Sequence, residues 1–161
     1  MFGGGQQKGM RSGTDNVPGI SGIGQAVKEA EEHLEENVER LYALREYFME
    51  RLSEIDHTKI NSPKGREGAP HIVNVSFLGV RSEVMLHDLE SKKIYVSAGS
   101  ACSSNHPHIS ETLSGIGLSP EEIDSAIRFS FSVNTTREEL DYAVDTIKDR
   151  ISILRKFTRK K

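Results

Sequence analysis

Tryptophan is missing from this chain, cysteine occurs once, at Cys102, and aromatic residues make up only 6%. One cysteine cannot form an internal disulfide, so the chain needs no oxidising compartment and a cytoplasmic setting is the default expectation. No apolar run approaches the roughly 20 residues that a membrane helix requires. The first thirteen residues are rich in glycine and hold no apolar stretch of the secretory type, so no signal peptide is expected. A large excess of either charge is also missing, with 21 lysines and arginines against 24 aspartates and glutamates. A formal net charge of -3 gives no global footprint for nucleic acid. The basic tail, 155–161, reads as a solvated helix end. Neither a nucleic acid nor a membrane is an expected partner.

What is present suits a soluble globular protein. The 161 residues are 35% hydrophobic and 28% charged, which separates the chain from disordered sequences. That length holds one ordinary domain, or one domain with a short piece of another, and buries a sizeable core without metals.

Secondary structure is legible from spacing. The glycine-rich start favours irregular backbone, either a loop of a larger structure or a frayed tail. Asn16 can cap the next helix, with Pro18 near its first turn. Apolar residues at Ile23, Val27, Ala30, Leu34, Val38, Leu41, Leu44 and Phe48 then step by three and four, which predicts a helical stretch over 20–55. Its length calls for a bend. Period-two alternation predicts strands at 71–77, 94–97 and 126–132. Ser82 is read as the cap of a short helix, and 98–108 as a small, polar loop. A helical turn is expected to end at Gly115. Ser119-Pro120-Glu121-Glu122 is a strong helix start. Thr135 or Thr136 caps a last helix with the stripe Leu140, Ala143, Val144, Ile147, Ile151 and Leu154. The expected fold is α/β of the α+β kind: a mostly antiparallel sheet of about three strands, packed against long first and last helices.

Three segments carry residues suited to chemistry. Cys102 lies in Ser97-Ala98-Gly99-Ser100-Ala101-Cys102-Ser103-Ser104, where every neighbour is small. Such a context gives a thiol solvent access, which thiolate chemistry needs, although a lone cysteine can equally be inert. Arg128 sits inside a predicted strand. It either lies on a solvent face or clamps a carboxylate through its planar guanidinium. The stretch 3–14, Gly-Gly-Gly-Gln-Gln-Lys-Gly-Met-Arg-Ser-Gly-Thr, can present backbone amides to a phosphate, with the Thr14 hydroxyl as a further donor. It has neither a Walker pattern nor a dinucleotide fingerprint. His106 and His108 flank Pro107 soon after Cys102, but too few ligands stand nearby to make a zinc site, and no metal is expected.

Together, in this order and at these separations, the three segments resemble the hallmarks of cysteine desulfurases of the NifS and IscS type. The resemblance runs from Gly3 nearly to the end. It implies the aminotransferase-like fold type I of the class-V family, a homodimer, pyridoxal phosphate (PLP) as cofactor and free L-cysteine as substrate. It implies Cys102 as the nucleophile that takes the substrate's sulfur as a persulfide and swings it to an acceptor, such as an iron–sulfur scaffold or a tRNA-thiolation partner. It implies Arg128 as the group that holds the substrate carboxylate, and Thr14 as a donor to the phosphate of the partner subunit's PLP. The residues after Cys102, 103–108, depart from the family's usual run, which affects loop behaviour and partner choice.

Members of that family are more than twice this length. Their large domain carries a His-Lys pair whose lysine bonds covalently to PLP, and this sequence has no His-Lys dipeptide. Ser91-Lys92-Lys93 is a poor substitute. The resemblance therefore implies a C-terminal part: 1–34 as the end of the PLP-binding large domain and 35–161 as the small domain. It could be an excised piece, a truncated gene product or one half of a split enzyme. The isolated chain is then expected to be inactive and to hold no covalent cofactor. The alternative readings are a sulfur-relay or scaffold-docking module without PLP chemistry, and a folded remnant without activity.

Overall fold

The computed structural model describes residues 3–99 and 110–157. Its contacts divide the chain within a helix, between Asn37 and Val38, into two compact units.

The first unit opens on a short turn, Gln6–Gly9, where irregular backbone was expected. Gln7 and Lys8 lie in the left-handed region at φ 51° and 55°, followed by Gly9 at φ 82°. Side chains hold the segment on itself: Gln7 donates to both carboxylate oxygens of Asp15 at 3.2 and 3.3 Å, and Ser12 Oγ donates to the Gly4 carbonyl at 3.0 Å. Helix α1 is Val17–Glu32. Asn16 Oδ1 accepts from the Gly19 N–H at 3.2 Å, and Pro18 occupies the first turn, as the sequence predicts. No residue of α1 is buried, and Val17, Ile20, Ile23 and Val27 stand exposed. The expected bend falls at His33, whose φ of -117° and ψ of 12° leave the helical region, so the stretch is two helices, α1 and α2 (Leu34–Ser53).

Among its described residues the second unit holds four strands: β1 Thr58–Ile60, β2 Ile72–Phe77, β3 Ser97–Ala98 and β4 Ala126–Ser130. They pair antiparallel throughout in the order β1-β2-β4-β3. The expectation of about three strands is corrected to four. β1 has three residues and only one apolar side chain, too little for a period-two signal, and becomes a strand by pairing with β2. The strand expected at 94–97 is instead Ser97–Ala98, one residue into the expected loop, because only those residues pair with β4.

Helix α3, Ser82–Ser91, takes Arg81 at its N-cap position, so Ser82 is its first helical residue and not the cap. Short helices α4 (Glu111–Gly115) and α5 (Pro120–Asp124) follow, and α5 carries the expected capping box of Ser119 and Glu122. The last helix, α6 (Arg137–Phe157), is capped by Thr136: its N–H donates to Glu139 at 2.9 Å, and its Oγ1 accepts from the Glu139 N–H at 3.3 Å.

Alternation along the sheet separates a core face from an outer face. Val73, Val75 and Phe77 of β2 and Ile127 and Phe129 of β4 join one buried cluster with Phe48 and Leu52 of α2, Leu89 of α3 and Val144 and Ile147 of α6. Phe48 meets Phe129 and Phe131 edge to face at centroid distances of 5.0 and 5.5 Å. Arg45 is wholly buried with no carboxylate partner among the described residues, and its guanidinium donates to the carbonyls of Pro63, Gly65 and Ile72. It thereby ties the loop before β2 to α2.

Ion pairs trim the surface and give a pH dependence. Arg66, by its hydrogen bond, holds Glu39 below the usual glutamate value of 4.5; Lys148 does the same to Glu54 and Lys59 to Glu122. A depressed folded-state value stabilises the fold above the unfolded value and loses that contribution as pH falls through the folded one. The urea midpoint is therefore expected to hold from neutral pH to about 5 and to fall below 4.5, modestly because the pairs are solvent-facing. A midpoint that rises on acidification would contradict these pairs.

Candidate functional site

Arg128 is the middle residue of β4, and the strand's alternation turns it to the outer face. Its neighbours Ile127 and Phe129 are buried on the core side while Arg128 is exposed. Sheet register places Asn74 of β2 opposite it on one side and Ser97 of β3 on the other. Its Nη2 donates to Ser97 Oγ at 3.2 Å. Among the described residues no carboxylate forms an ion pair with it. The solvent-face reading of Arg128 is thus realised in this chain, and the same exposure leaves most of its five N–H donors open to a ligand.

The part of the outer face nearer β1 is covered. Ser76 Oγ donates to the Glu122 carbonyl of α5 at 2.7 Å, and Asn61 Nδ2 donates to Asn74 Oδ1 at 2.7 Å and Ser76 Oγ at 2.8 Å. A polar floor therefore runs from β1 across to Arg128. Beyond Arg128 the sheet ends at β3, whose last residues lead directly to Gly99.

Cys102, His106 and His108 lie outside the described residues. The residues that flank their segment are described. A Cβ placed on Gly99 would stand 3.7 Å from Ser110 Cβ, so the chain leaves and returns at one place. Ser110 is the N-cap of α4 and accepts from the Leu113 N–H at 3.4 Å. Gly99 thus lies two residues beyond Ser97 of the edge strand β3, which pairs with β4 and its Arg128.

Thr14 belongs to the first unit. It is exposed and makes no hydrogen bond among the described residues, so its hydroxyl is open to a ligand. Lys92 and Lys93 follow α3 and are exposed, with Lys93 in the left-handed region at φ 65°. A lysine that attacks a carbonyl cofactor is usually made nucleophilic by burial or a cationic neighbour, and an exposed position supplies no burial. Ser97 and Asn74 were not singled out for a role by sequence reasoning. Period-two spacing could place each on a face of its own strand, but only the register brings them beside Arg128.

Comparison with known proteins is consistent along nearly the whole chain. Residues 4–143 match the model of the aminotransferase class-V family. The chain is 41% identical over 158 residues to the cysteine desulfurase IscS of Edwardsiella ictaluri, covering 98% of this chain and 38% of that protein. It is 41% identical over 155 residues to the cysteine desulfurase IscS of Salmonella schwarzengrund, covering 96% of this chain and 38% of the relative. Among solved structures, a NifS-like protein superposes with a TM-score of 0.80 at 32% identity, covering 96% of this chain and 39% of the other. A NifS-like protein from Rickettsia africae superposes with a TM-score of 0.77 at 25% identity, covering 95% and 39%. The chain spans less than two-fifths of the length of the relatives it matches.

Proposed function

The chain belongs to the aminotransferase class-V family, and from that membership we propose that it is the sulfur-accepting part of a cysteine desulfurase, with Cys102 as the residue that carries the sulfur. The supporting observation is Arg128: an exposed guanidinium with no carboxylate partner among the described residues, on the strand that pairs with the edge strand β3, which ends one residue before Gly99.

The residues divide the work by chemistry. Cys102 reacts as the thiolate, the nucleophilic form of the side chain. Its sulfur bonds to the sulfur of L-cysteine while the substrate's carbon–sulfur bond breaks, which leaves a persulfide on Cys102; the carbon keeps the bonding pair, takes up a proton and is released as alanine. Pyridoxal phosphate, when bound, supplies the electron sink for the pair from that breaking bond. Arg128 offers parallel N–H donors to the substrate carboxylate and so fixes where the amino acid lies. Thr14 offers its unpartnered hydroxyl to the cofactor phosphate of a second subunit.

The described residues fit that cofactor only in part. Thr14 is exposed, as a phosphate donor would need to be, but Lys92 and Lys93 stand exposed too, and the sequence has no His-Lys pair. On this reading residues 1–34 complete a PLP-binding large domain and 35–161 form the small domain of a cytoplasmic homodimer. Its persulfide passes to a sulfur acceptor, an iron–sulfur scaffold or a tRNA-thiolation protein.

Sulfide release from L-cysteine, measured with PLP and a reducing thiol, tests the incompleteness. The chain alone is expected to release no more sulfide than its Cys102→Ser variant. Release that depends on Cys102 would mean that another lysine of this chain holds the cofactor.

A further inference from the structure

The side chain that Arg128 touches is not a carboxylate but a hydroxyl on the neighbouring strand. Ser97 and Arg128 are directly opposed in the β3–β4 pair, where cross-strand side chains stand close enough to interact. The bond runs from Nη2 to Ser97 Oγ at 3.2 Å, and it is the contact that restrains the guanidinium among the described residues. An exposed arginine on a flat sheet otherwise samples many rotamers, and a ligand must meet the cost of ordering it.

The backbone of β3 is a suitable anchor for that restraint. Ser97 is held in the ladder to β4, and Ala98 pairs with the buried Ile127. On the far side of Arg128, Asn74 is already engaged, with its Oδ1 accepting from Asn61 and its N–H donating to Ser62 Oγ at 2.9 Å. Asn74 thus fills one flank while Ser97 accepts on the other. The remaining donors of the guanidinium are left for a ligand that approaches the outer face.

We infer that Ser97 is the positioning residue for Arg128: its hydroxyl holds the guanidinium on the outer face in an orientation ready for a carboxylate. This deepens the reading of Arg128 as a substrate clamp and rests on it. It also makes β3 a shared part, because the strand that orients the clamp leads into the segment carrying Cys102. Ser97 meets no substrate in this scheme and acts through Arg128.

The test reads Arg128 directly in the full chain. The arginine Nε–Hε resonance, assigned by its loss in Arg128→Lys, is followed by NMR during titration with L-alanine, which carries the required carboxylate. The wild-type signal is expected to move, and Ser97→Ala is expected to raise the midpoint about threefold, the scale of an exposed charge-assisted contact. Rotation of the guanidinium about its Cζ–Nε bond should quicken in the same variant. Ser97→Thr keeps a hydroxyl and should restore both readouts, which a general loosening of the sheet edge would not do. An unchanged midpoint in Ser97→Ala overturns the positioning role and leaves the clamp standing. A wild-type signal that L-alanine does not move overturns both.

Discussion

Cys102→Ser will lower sulfide release at least about 100-fold when the chain is grafted in place of the matching part of an IscS relative. The graft supplies the portion of the relatives that this chain does not span, so the measurement asks about the residue and not about missing sequence. The size of the effect follows from the chemistry. A thiol has a pKa near 8.5 and yields useful thiolate at neutral pH, whereas a serine hydroxyl yields almost none without a dedicated base. Serine is also close to cysteine in size, so the graft's fold and its cofactor absorbance should survive. Those two controls separate lost chemistry from lost structure. Sulfide release that persists in Cys102→Ser would remove Cys102 from the mechanism.

Phe48→Ala will cost about 3–5 kcal/mol of folding stability, read as a lower urea midpoint in the isolated chain. The ring of Phe48 has no exposed surface, and it meets Phe129 and Phe131 edge to face. Its truncation removes buried area, leaves a cavity and loses two aromatic pairs worth about 0.5–1.5 kcal/mol each beyond their area. A domain with a total of about 5–15 kcal/mol would be left near the edge of unfolding. The site depends on that packing. Phe129 fastens β4 from the core side, and Arg128 is the residue before it, facing out. A loss below about 1 kcal/mol would show that Phe48 does not carry this core.

The two predictions draw on different levels of information. Cys102 and Arg128 were singled out from the sequence because each stands in an unusual local context: a thiol among small residues, a charge within a strand. Thr14 came from a glycine-rich stretch that forms a compact, self-bonded turn. The caps at Asn16 and Ser119, and the last helix's cap as one of Thr135 and Thr136, were legible for a simple reason, since each is closed by a bond to a residue three positions on. Ser82 was misplaced because Arg81 is the residue in extended backbone at φ -68° and ψ 136°, immediately before the helix begins. The break at His33 was expected only as a bend somewhere in a long stretch; neither proline nor glycine marks the place.

Contacts distant in sequence had no such signature. Arg45 reads as one polar residue on a helix, yet it is wholly buried, with its guanidinium donating to two loop carbonyls, Pro63 and Gly65, and to that of Ile72 at the start of β2, 18 to 27 residues away. The strand β1 has too few residues to announce itself and exists through its partner. By itself the sequence determined which segments alternate or turn, where most helices begin and which side chains are chemically unusual, because those properties arise within a few residues. Tertiary structure alone decided the order β1-β2-β4-β3, and with it the meeting of Ser97 and Arg128, thirty-one residues apart. Sheet pairing joins backbone groups whose separation along the chain leaves no periodic trace, so only the fold brings Arg128 beside Ser97.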